Sequence, residues 1–374
     1  MSAAALQIQT LEYEDSQWGG SSEGRTYKAR DRELMDLRLK AQYFTDPCRY
    51  EPNIFRRRYR MQPWVFDKMM RDVANYDPYF VQTRDACGRL SLSTEQKLTC
   101  AMRMLAYGIT ADFCDDYLDI AKSTAIEIFE HFTKAIWNVY HETYLRRPTP
   151  ADLRRLLDKA AERGFPGMIG SLDCSLNDIN VLGCSPLFND VCTGETPEVN
   201  YQVHNRHYRQ CYYLVDGIYP KWGSFVQAIR NPRSPQTQHF TRMQEAYRKD
   251  VERAFGILQA RWAIIRGPAR GWSKENLQYI MMTCIILHNM IIEDEHDKDA
   301  AQPFDPDDIP TRPRKAEIYK RPVMDTDVDR NPQQLNQFLR RYREVRCPVM
   351  NKNLQEDLVD HLWTMKLQAD QNHQ

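Results

Sequence analysis

Three carboxylates in this chain stand at positions typical of a site that binds divalent metal ions. Asp173 ends the short apolar run in GMIGSLDC, and Asp216 ends the run in YYLVDGIYP. Glu252 lies in the long helical stretch KDVERAFGILQARWAIIRG. Two carboxylates at strand ends and a third on a helix are the groups that metal-dependent cleavage of a phosphodiester needs. The residue types therefore predict catalytic acids and metal ligands at Asp173, Asp216 and Glu252.

Mg²⁺ or Mn²⁺ is the cofactor that these oxygen ligands favour. Neighbouring carboxylates repel and raise one another's pKa unless a cation lies between them. Hard cations prefer carboxylate oxygens and keep waters that can act as nucleophiles. Each acid also has a plain structural interpretation. Asp173 and Asp216 can be turn residues, and Glu252 can be a solvated acid beside Arg248 and Arg253.

Composition limits the partners. The chain has 374 residues, of which 42% are hydrophobic, and this is enough for a sizeable core. Its 51 basic and 51 acidic side chains cancel, so any attraction to nucleic acid must be local. The ten cysteines form no CxxC pair, which predicts free thiols inside the cell. The apolar stretch from Ile280 to Ile292 is shorter than the ~20 residues needed to cross a bilayer. We therefore expect no membrane partner and a location in the nucleus or the cytoplasm.

Hydrophobic periodicity and charge divide the chain into four parts. Residues 1–50 are predicted to form a mostly mobile arm, apart from a short charged helix near residues 29–44. Residues 51–160 are predicted to form a helical domain, and residues 161–295 an α/β half in which strands and helices alternate. Residues 296–374 are predicted to form an acidic, Pro-rich linker and a final helix near NLQEDLVDHLWTMKL.

The helical part contains three consecutive helices that resemble a helix-turn-helix. Ser93 or Thr94 is predicted to cap the first, which ends at Gly108. A short second helix is predicted from Ala111 to Ile120, and Ser123 is predicted to cap the third. A DNA-reading unit should place basic or amide side chains early on its last helix. This chain has Thr, Ala and Glu there, so plain helical packing is the favoured alternative.

A run of arginines is the better candidate for contacts with phosphate groups. Arg56, Arg57, Arg58 and Arg60 lie in the sequence FRRRYR, interleaved with two aromatic residues. The alternative is a solvated face held by aromatic anchors.

The α/β half has three strand-like runs, in GMIGSLDC, CYYLVDG and GSFVQAI. Asp178 is predicted to cap a short helix between the first two runs. Long helices are predicted from about Gln236 to Ile265 and from about Ser273 to Glu293. The second is expected to bury one apolar face, with His288 as a hydrogen-bonded core residue: Leu277, Ile280, Met281, Cys284, Ile285, His288 and Ile292.

Several motifs resemble those of Harbinger-type transposases and their domesticated plant relatives. These are GFPGMIGSLDC, LNDINVLGCSPLF, YYLVDGIYPKW, DVERAFGILQARWAIIRGPAR and CIILHNMI. The resemblance runs from about Tyr43 to Glu293 and includes the terminal LQEDLVDHLW. It implies a DDE nuclease domain with an RNase H-like fold, after a helical, helix-turn-helix-like domain. By this resemblance Asp173, Asp216 and Glu252 are the first, second and third catalytic acids.

The resemblance also implies basic residues along the catalytic helix. Arg248 matches this pattern, and Arg253 is a further candidate for nucleic-acid contact. Gln259 departs from it and removes one charge from a phosphate contact.

The chain is short where the family inserts two strands. Only four residues separate Asp173 from Asp178, whereas a pair of strands and their turn needs at least about a dozen. The nuclease-like domain is thus predicted to be truncated, with its first strand left as an open edge beside the strand that ends at Asp216. Catalytic acids need a rigid support, so we expect impaired activity.

Three interpretations remain open at this point. The first is a metal-dependent DNA endonuclease that cuts and rejoins DNA, and the second is a non-catalytic nuclear protein that binds DNA or chromatin. The third is a longer gene product whose additional codons restore the two strands. The resemblance implies DNA and a Myb-like DNA-binding protein as partners, and a nuclear location, for either of the first two.

Overall fold

The structure, a computed structural model, describes residues 30–146, 148–172, 199–268, 272–296 and 332–372. Two 3₁₀ turns, Pro78–Phe80 and Ala263–Arg266, accompany the regular elements. The helices are α1 (Arg32–Tyr43), α2 (Pro52–Tyr59), α3 (Pro63–Tyr76), α4 (Thr94–Tyr107), α5 (Phe113–Leu118), α6 (Lys122–Tyr144), α7 (Pro150–Glu162), α8 (Pro235–Arg261), α9 (Lys274–His296), α10 (Pro332–Val345) and α11 (Pro348–Asn372). The strands are β1 (Met168–Ser171), β2 (Tyr201–Val203), β3 (Arg206–Tyr208), β4 (Tyr212–Val215) and β5 (Phe225–Gln227). None of the described helices combines the length and apolar composition that crossing a bilayer would require.

A helical core fills the first half of the molecule. The side chains of α4, α6 and α9 form its centre, together with aromatic residues of α2 and α3. Helix α4 begins with a capping box in which Ser93 accepts from the backbone N–H of Gln96 and the Gln96 side chain accepts from Ser93 in return. It ends at Gly108, whose φ of 61° is left-handed and whose Cα lies against the backbone of Ala263. The predicted start and end of this helix are confirmed.

Two details of the helical prediction are wrong. Helix α6 begins at Lys122 with Ala121 before it and no side-chain cap, so Ser123 lies inside the first turn and is exposed. On α9, Met281 and Ile292 are 42% and 44% exposed. The helix instead buries a face centred on Ile280, Cys284, Leu287 and Ile291, because that side meets α6.

Part of the predicted arm packs against this core. Leu39 and Tyr43 of α1 are buried, and the Arg30 guanidinium donates two hydrogen bonds of 3.0 Å to Asp115.

Helix α7 is an element that the periodicity did not reveal. Its local signal is a capping box between Thr149 and Asp152, with Pro150 at the first helical position.

A second core surrounds a three-stranded parallel sheet in the order β1-β4-β5. Its central strand contributes Tyr212 and Leu214, which are fully buried, and α8 contributes Phe240. The pairing of β1 with β4 agrees with the resemblance. In the described residues, β4 is the one strand that pairs with β1. The chain is thus a mainly helical α/β protein with a small sheet.

The C-terminal helix closes the other edge of this sheet with side-chain amides. Asn351 Nδ2 donates to the carbonyls of Phe225, at 2.5 Å, and Trp222, at 3.0 Å. Gln355 Nε2 donates to the carbonyl of Gln227 at 2.7 Å. The bonds to Phe225 and Gln227 satisfy carbonyls of the edge strand β5 that a further strand would otherwise occupy, and Trp222 lies just before this strand.

Helix α8 contributes to both cores. Phe240 and Gln244 near its start are fully buried against the sheet, whereas Leu258 and the following Trp262 are buried in the helical core. Between these ends, residues 252–257 are all exposed. One continuous helix therefore connects the sheet with the helical domain.

His288 is buried on α9, as expected from its place on the apolar face, but its hydrogen bonding differs from the expectation. Its Nδ1 has no hydrogen-bond partner among the described residues. Burial, and secondarily the nearby Arg261 guanidinium, lower the pKa of His288 to about 4. The ring is therefore neutral at physiological pH.

The amide of Asn351 should contribute strongly to stability. In Asn351→Ala the carbonyls of Phe225 and Trp222 lose a donor inside the protein, so we expect the free energy of unfolding in urea to fall by about 2 to 4 kcal/mol. The control is Lys352→Ala, because Lys352 is 75% exposed beside it. That change should stay within about 0.5 kcal/mol, and an equal loss in both variants would contradict the assigned role.

The neutral His288 should make stability depend on pH. An unfolded histidine has a pKa near 6.5, so between about pH 6.5 and pH 4 the unfolded chain binds a proton that the native chain does not. Stability is therefore complete above pH 6.5 and falls as the pH is lowered, by roughly 2 kcal/mol at pH 5. Urea unfolding at pH 7.5 and pH 5 should show a smaller difference in His288→Gln than in the wild type. The exposed His207→Gln serves as the control, and an unchanged difference in His288→Gln would refute the prediction.

Candidate functional site

The first predicted acid follows directly on a described strand. The backbone N–H of Leu172 donates to the carbonyl of Leu214 at 2.9 Å, so the β1–β4 ladder continues to the residue before Asp173. Asp173 and Asp178 themselves lie outside the described residues. The hydrogen-bonded carbonyl of Leu214 is two residues before Asp216.

Asp216 is exposed in a tight turn that follows β4. Its Oδ1 accepts from the backbone N–H of Gly217 at 2.6 Å, and its carbonyl accepts from Tyr219 N–H at 3.2 Å. Arg230 donates to the carbonyl of Gly217 at 2.8 Å. The carboxylate thus stabilises its own turn and keeps oxygen lone pairs open to solvent.

The direction of α8 determines where Glu252 lies. Gln244 Nε2 donates to the carbonyls of Val215, at 3.1 Å, and Val226, at 3.0 Å, so α8 crosses the ends of β4 and β5 at this residue. Two turns later, Asp250 accepts from Arg163, which precedes β1, at 2.6 Å. The helix therefore runs from the C-terminal ends of the strands toward their beginnings.

Because α8 runs in this direction, Glu252 lies further from the C-terminal end of β4 than Gln244 does. It lies eight residues beyond Gln244, which corresponds to about 12 Å along the axis and about 80° around it. Its carboxylate is 43% exposed and accepts from Arg248 at 2.7 Å, whereas the Arg248 side chain is only 13% exposed. Glu252 is thus paired with an internal cation on its own helix.

The described residues by themselves do not assemble a Mg²⁺ or Mn²⁺ centre, and Asp173 lies outside them. No group of three or more potential metal ligands occurs in the part of the chain that the structure describes. Glu252 accepts from Arg248 through one carboxylate oxygen, so a metal ion there would compete with this guanidinium for the carboxylate. The role of the three predicted acids therefore stays a prediction.

The arginine run on α2 is divided between exposed and engaged side chains. Arg57 is exposed. Arg56 forms an ion pair of 2.6 Å with Glu295 near the end of α9, where Arg261 also reaches Glu295 at 3.5 Å. The helix dipole disfavours a negative charge at a helix C-terminus, and these two guanidinium groups stabilise the Glu295 carboxylate there.

The other two arginines of this run pack against tyrosine rings. Arg58 donates to the hydroxyl of Tyr43 and lies 4.2 Å from the ring centre of Tyr50. Arg60 lies 5.2 Å from the ring centre of Tyr107. Cation–π contacts of this kind stabilise the fold, so the run is not a uniform surface for phosphate contacts.

A larger group of exposed cations lies between residues 199 and 268. This stretch contains eleven Lys or Arg residues and four Asp or Glu residues, although the whole chain is neutral. Nine of the eleven cations are exposed: Arg206, Arg209, Lys221, Arg230, Arg233, Arg242, Lys249, Arg253 and Arg266. The positive charge that the total composition hides is thus concentrated near the sheet.

Three of these cations form a line on α8. Arg242, Lys249 and Arg253 are seven and four residues apart, which places them within about 40° of one another around the helix. We refer to these three residues as the α8 stripe. Gly256 continues the same face, and the space beside it is open. Sequence reasoning named Arg253 but missed the other two, whose seven- and four-residue spacing was the available signal.

The other predicted contacts on this helix are placed differently. Arg248 faces inward and pairs with Glu252. Arg253 is 69% exposed and donates to Asp250 at 2.8 Å, so it remains accessible to solvent. Gln259 is exposed, and its carbonyl accepts from Arg266 at 2.5 Å.

The sheet and the helices around it match a known family. Residues 142–176 and 175–299 match the family model described as plant transposon protein. Residues 36–74 match a second family, described as a domain of unknown function, DUF8418. The plant transposon match covers less than half of the chain, from the end of α6 through α9, and is consistent with a transposase-derived protein. No curated protein and no solved structure matched the chain.

Proposed function

We propose that this protein is a Harbinger-type transposase derivative that binds DNA through the basic surface of its sheet domain and in which the ancestral nuclease centre is impaired. The observation that carries the proposal is the charge distribution on α8. Its outward face presents the α8 stripe to solvent, whereas the acid needed for metal chemistry, Glu252, is paired with Arg248.

Two observations support descent from a DDE nuclease. The parallel order β1-β4-β5, followed by a long helix across the sheet, is the arrangement that an RNase H-like domain would keep after losing the two strands that the family inserts between Asp173 and Asp178. The family match is also divided into two segments, which meet at residues 175 and 176. This is the position at which the sequence is shorter than the resemblance implies.

Phosphate contact is the chemistry that the α8 stripe supports best. Lys249 and Arg253 are about 6 Å apart along the helix axis, roughly twice the axial spacing of ~3.4 Å between successive phosphates on one DNA strand. Six further exposed cations lie between residues 199 and 268. Contacts of this kind bind DNA without reading its sequence.

Sequence recognition is better assigned to a partner protein. On α6, Lys122 is the single basic side chain of the first turn, whereas Ala125 is fully buried and Glu127 is exposed. One cation and no amide is a poor surface for reading bases. A Myb-like DNA-binding partner, as the resemblance implies, would supply this recognition and direct the complex to the nucleus.

Neutralising the α8 stripe should weaken DNA binding. We expect the triple change Arg242→Gln, Lys249→Gln and Arg253→Gln to reduce the affinity for duplex DNA roughly 10- to 100-fold at ~0.1 M salt. The slope of log K against log salt should become shallower by about 2 to 3, because three phosphate contacts are lost. Fluorescence anisotropy across a salt series measures both.

A matched control changes the same charge elsewhere. Arg154, Arg155 and Lys159 are exposed on α7, and replacing all three by Gln removes three positive charges from another helix. Near wild-type affinity and slope are expected for this variant. Equal losses in both triple variants would show that total charge alone governs binding and would sink the assignment to α8.

The second candidate function is a working metal-dependent nuclease. It is favoured by the β1–β4 ladder, which is intact up to Leu172 and leads into Asp173. A working site would need all three acids and a divalent ion, whereas a binding protein tolerates their loss.

Metal dependence separates the two functions. We expect no nicking of supercoiled plasmid by the wild type with Mg²⁺ or Mn²⁺, and unchanged DNA affinity in Asp173→Ala and Glu252→Ala. A nicking activity that needs Mn²⁺ and disappears in Asp173→Ala would overturn the proposal in favour of the nuclease. Wild-type nicking that survives in both variants would indicate a contaminant.

A further inference from the structure

Two cysteines of the helix-turn-helix-like unit are in direct contact. Cys100 lies on α4 and Cys114 on α5, and their sulfur atoms are 3.3 Å apart. Both side chains are buried, at 0% and 1% exposure. The other cysteines of the described residues, Cys48, Cys87, Cys211, Cys284 and Cys347, show no thiol–thiol contact there.

The chain geometry favours a bond between these thiols. Helix α4 ends in the left-handed turn at Gly108, which turns the chain back so that α5 packs beside α4. A disulfide has a sulfur–sulfur distance of about 2.05 Å, so closure needs an approach of a little over about 1 Å. A shift of this size is small for a helix of six residues.

The contact also makes the two thiols chemically unequal. The Cys100 thiol donates a hydrogen bond to Cys114, and this bond lowers the pKa of Cys114 and raises the pKa of Cys100. A thiolate is the nucleophilic form of cysteine. Cys114 lies on the short helix α5 beside the exposed Phe113, so it is the attacking sulfur when this helix opens, and Cys100 is the resolving one.

We propose that Cys100 and Cys114 are a reversible oxidation site that closes to a disulfide when a peroxide is the oxidant. Cys114 sulfur attacks one oxygen of hydrogen peroxide and forms a sulfenic acid, while the O–O bond breaks and the thiol proton leaves with the second oxygen as water. Cys100 sulfur then attacks the sulfenic sulfur, and its proton and the hydroxyl leave as a second water. Two thiols are oxidised by two electrons and one peroxide is reduced to two waters.

Access of the oxidant requires α5 to open. This helix is held by two hydrogen bonds from Arg30 to Asp115 and by one from the backbone N–H of Asp31 to Asp119 at 2.8 Å. Phe113 beside Cys114 is already 51% exposed. Weakening the Arg30 contacts should therefore speed oxidation.

Closure would join the first two helices of the helix-turn-helix-like unit. The bond would span residues 100 to 114 and so restrict the unfolded chain by a loop of moderate length. Oxidised protein should consequently unfold at a higher temperature than reduced protein. Reductants such as dithiothreitol should reverse the change, as expected for a redox-responsive pair in a reducing compartment.

The experiment uses the full chain, treated with a small excess of hydrogen peroxide and quenched with iodoacetamide. Intact and peptide mass spectrometry are expected to show a loss of 2 Da that maps to a link between Cys100 and Cys114. Cys114→Ser should abolish this link, whereas Cys284→Ser, which changes a buried thiol without a thiol neighbour, should retain it. Arg30→Gln should form the link several-fold faster, and circular dichroism confirms that each variant is folded.

Three results would overturn the proposal. The first is that both thiols stay reduced at a peroxide dose that oxidises the exposed Cys48 or Cys87. The second is a disulfide that joins either residue to a different cysteine. The third is a gain of 32 Da on Cys114 with Cys100 still reduced, which would show that Cys100 does not resolve the sulfenic acid. If Cys114→Ser fails to fold, the wild-type peptide map alone decides between these outcomes.

Discussion

The burial of α8 at both ends is the constraint on which the rest of this structure depends. Its first half is fixed to the sheet by Gln244, whose amide satisfies the carbonyls of Val215 and Val226. Its last turn leads into Trp262, which is fully buried among the helices. A helix of 27 residues held at two points cannot rotate, so the angular position of every residue between them is determined. This is why the α8 stripe faces solvent and why Glu252 lies away from the end of β4.

Local chemistry predicted much of the fold from the sequence. The capping box at Ser93 and the glycine at position 108 bounded α4 correctly, and the runs containing Met168, Tyr212 and Phe225 are strands. The errors arose where tertiary contacts decide. The buried face of α9 follows its contact with α6, which no period along one helix can reveal. For the candidate site, the sequence indicated residue types, whereas the position of Glu252 depends on the direction of α8 across the sheet.

Charge in this protein is unevenly distributed along the chain, although its total is zero. Glu295 near the end of α9 is paired with both Arg56 and Arg261, which keeps part of the basic surplus inside the helical domain. Around the sheet, exposed cations outnumber acids, and few acids are available to neutralise them. The field near the sheet is therefore set by local composition and the net charge of zero does not describe it. Such a surface should act over about 10 Å at ~0.1 M salt and lose its reach at higher salt.

The amides of Asn351 and Gln355 make the two edges of the sheet unequal in their capacity to gain or lose strands. On the β5 side, a helix occupies the hydrogen-bonding positions, so strands can be neither added nor removed there without disturbing α11. On the β1 side, the described residues place no side-chain amides of this kind along the edge strand. Insertions and deletions in a lineage of this fold should accumulate beyond β1, because a change there leaves the bonds between β5 and α11 intact. The β5 edge of the sheet is thus fixed by α11, whereas strands can be gained or lost in evolution at the β1 edge.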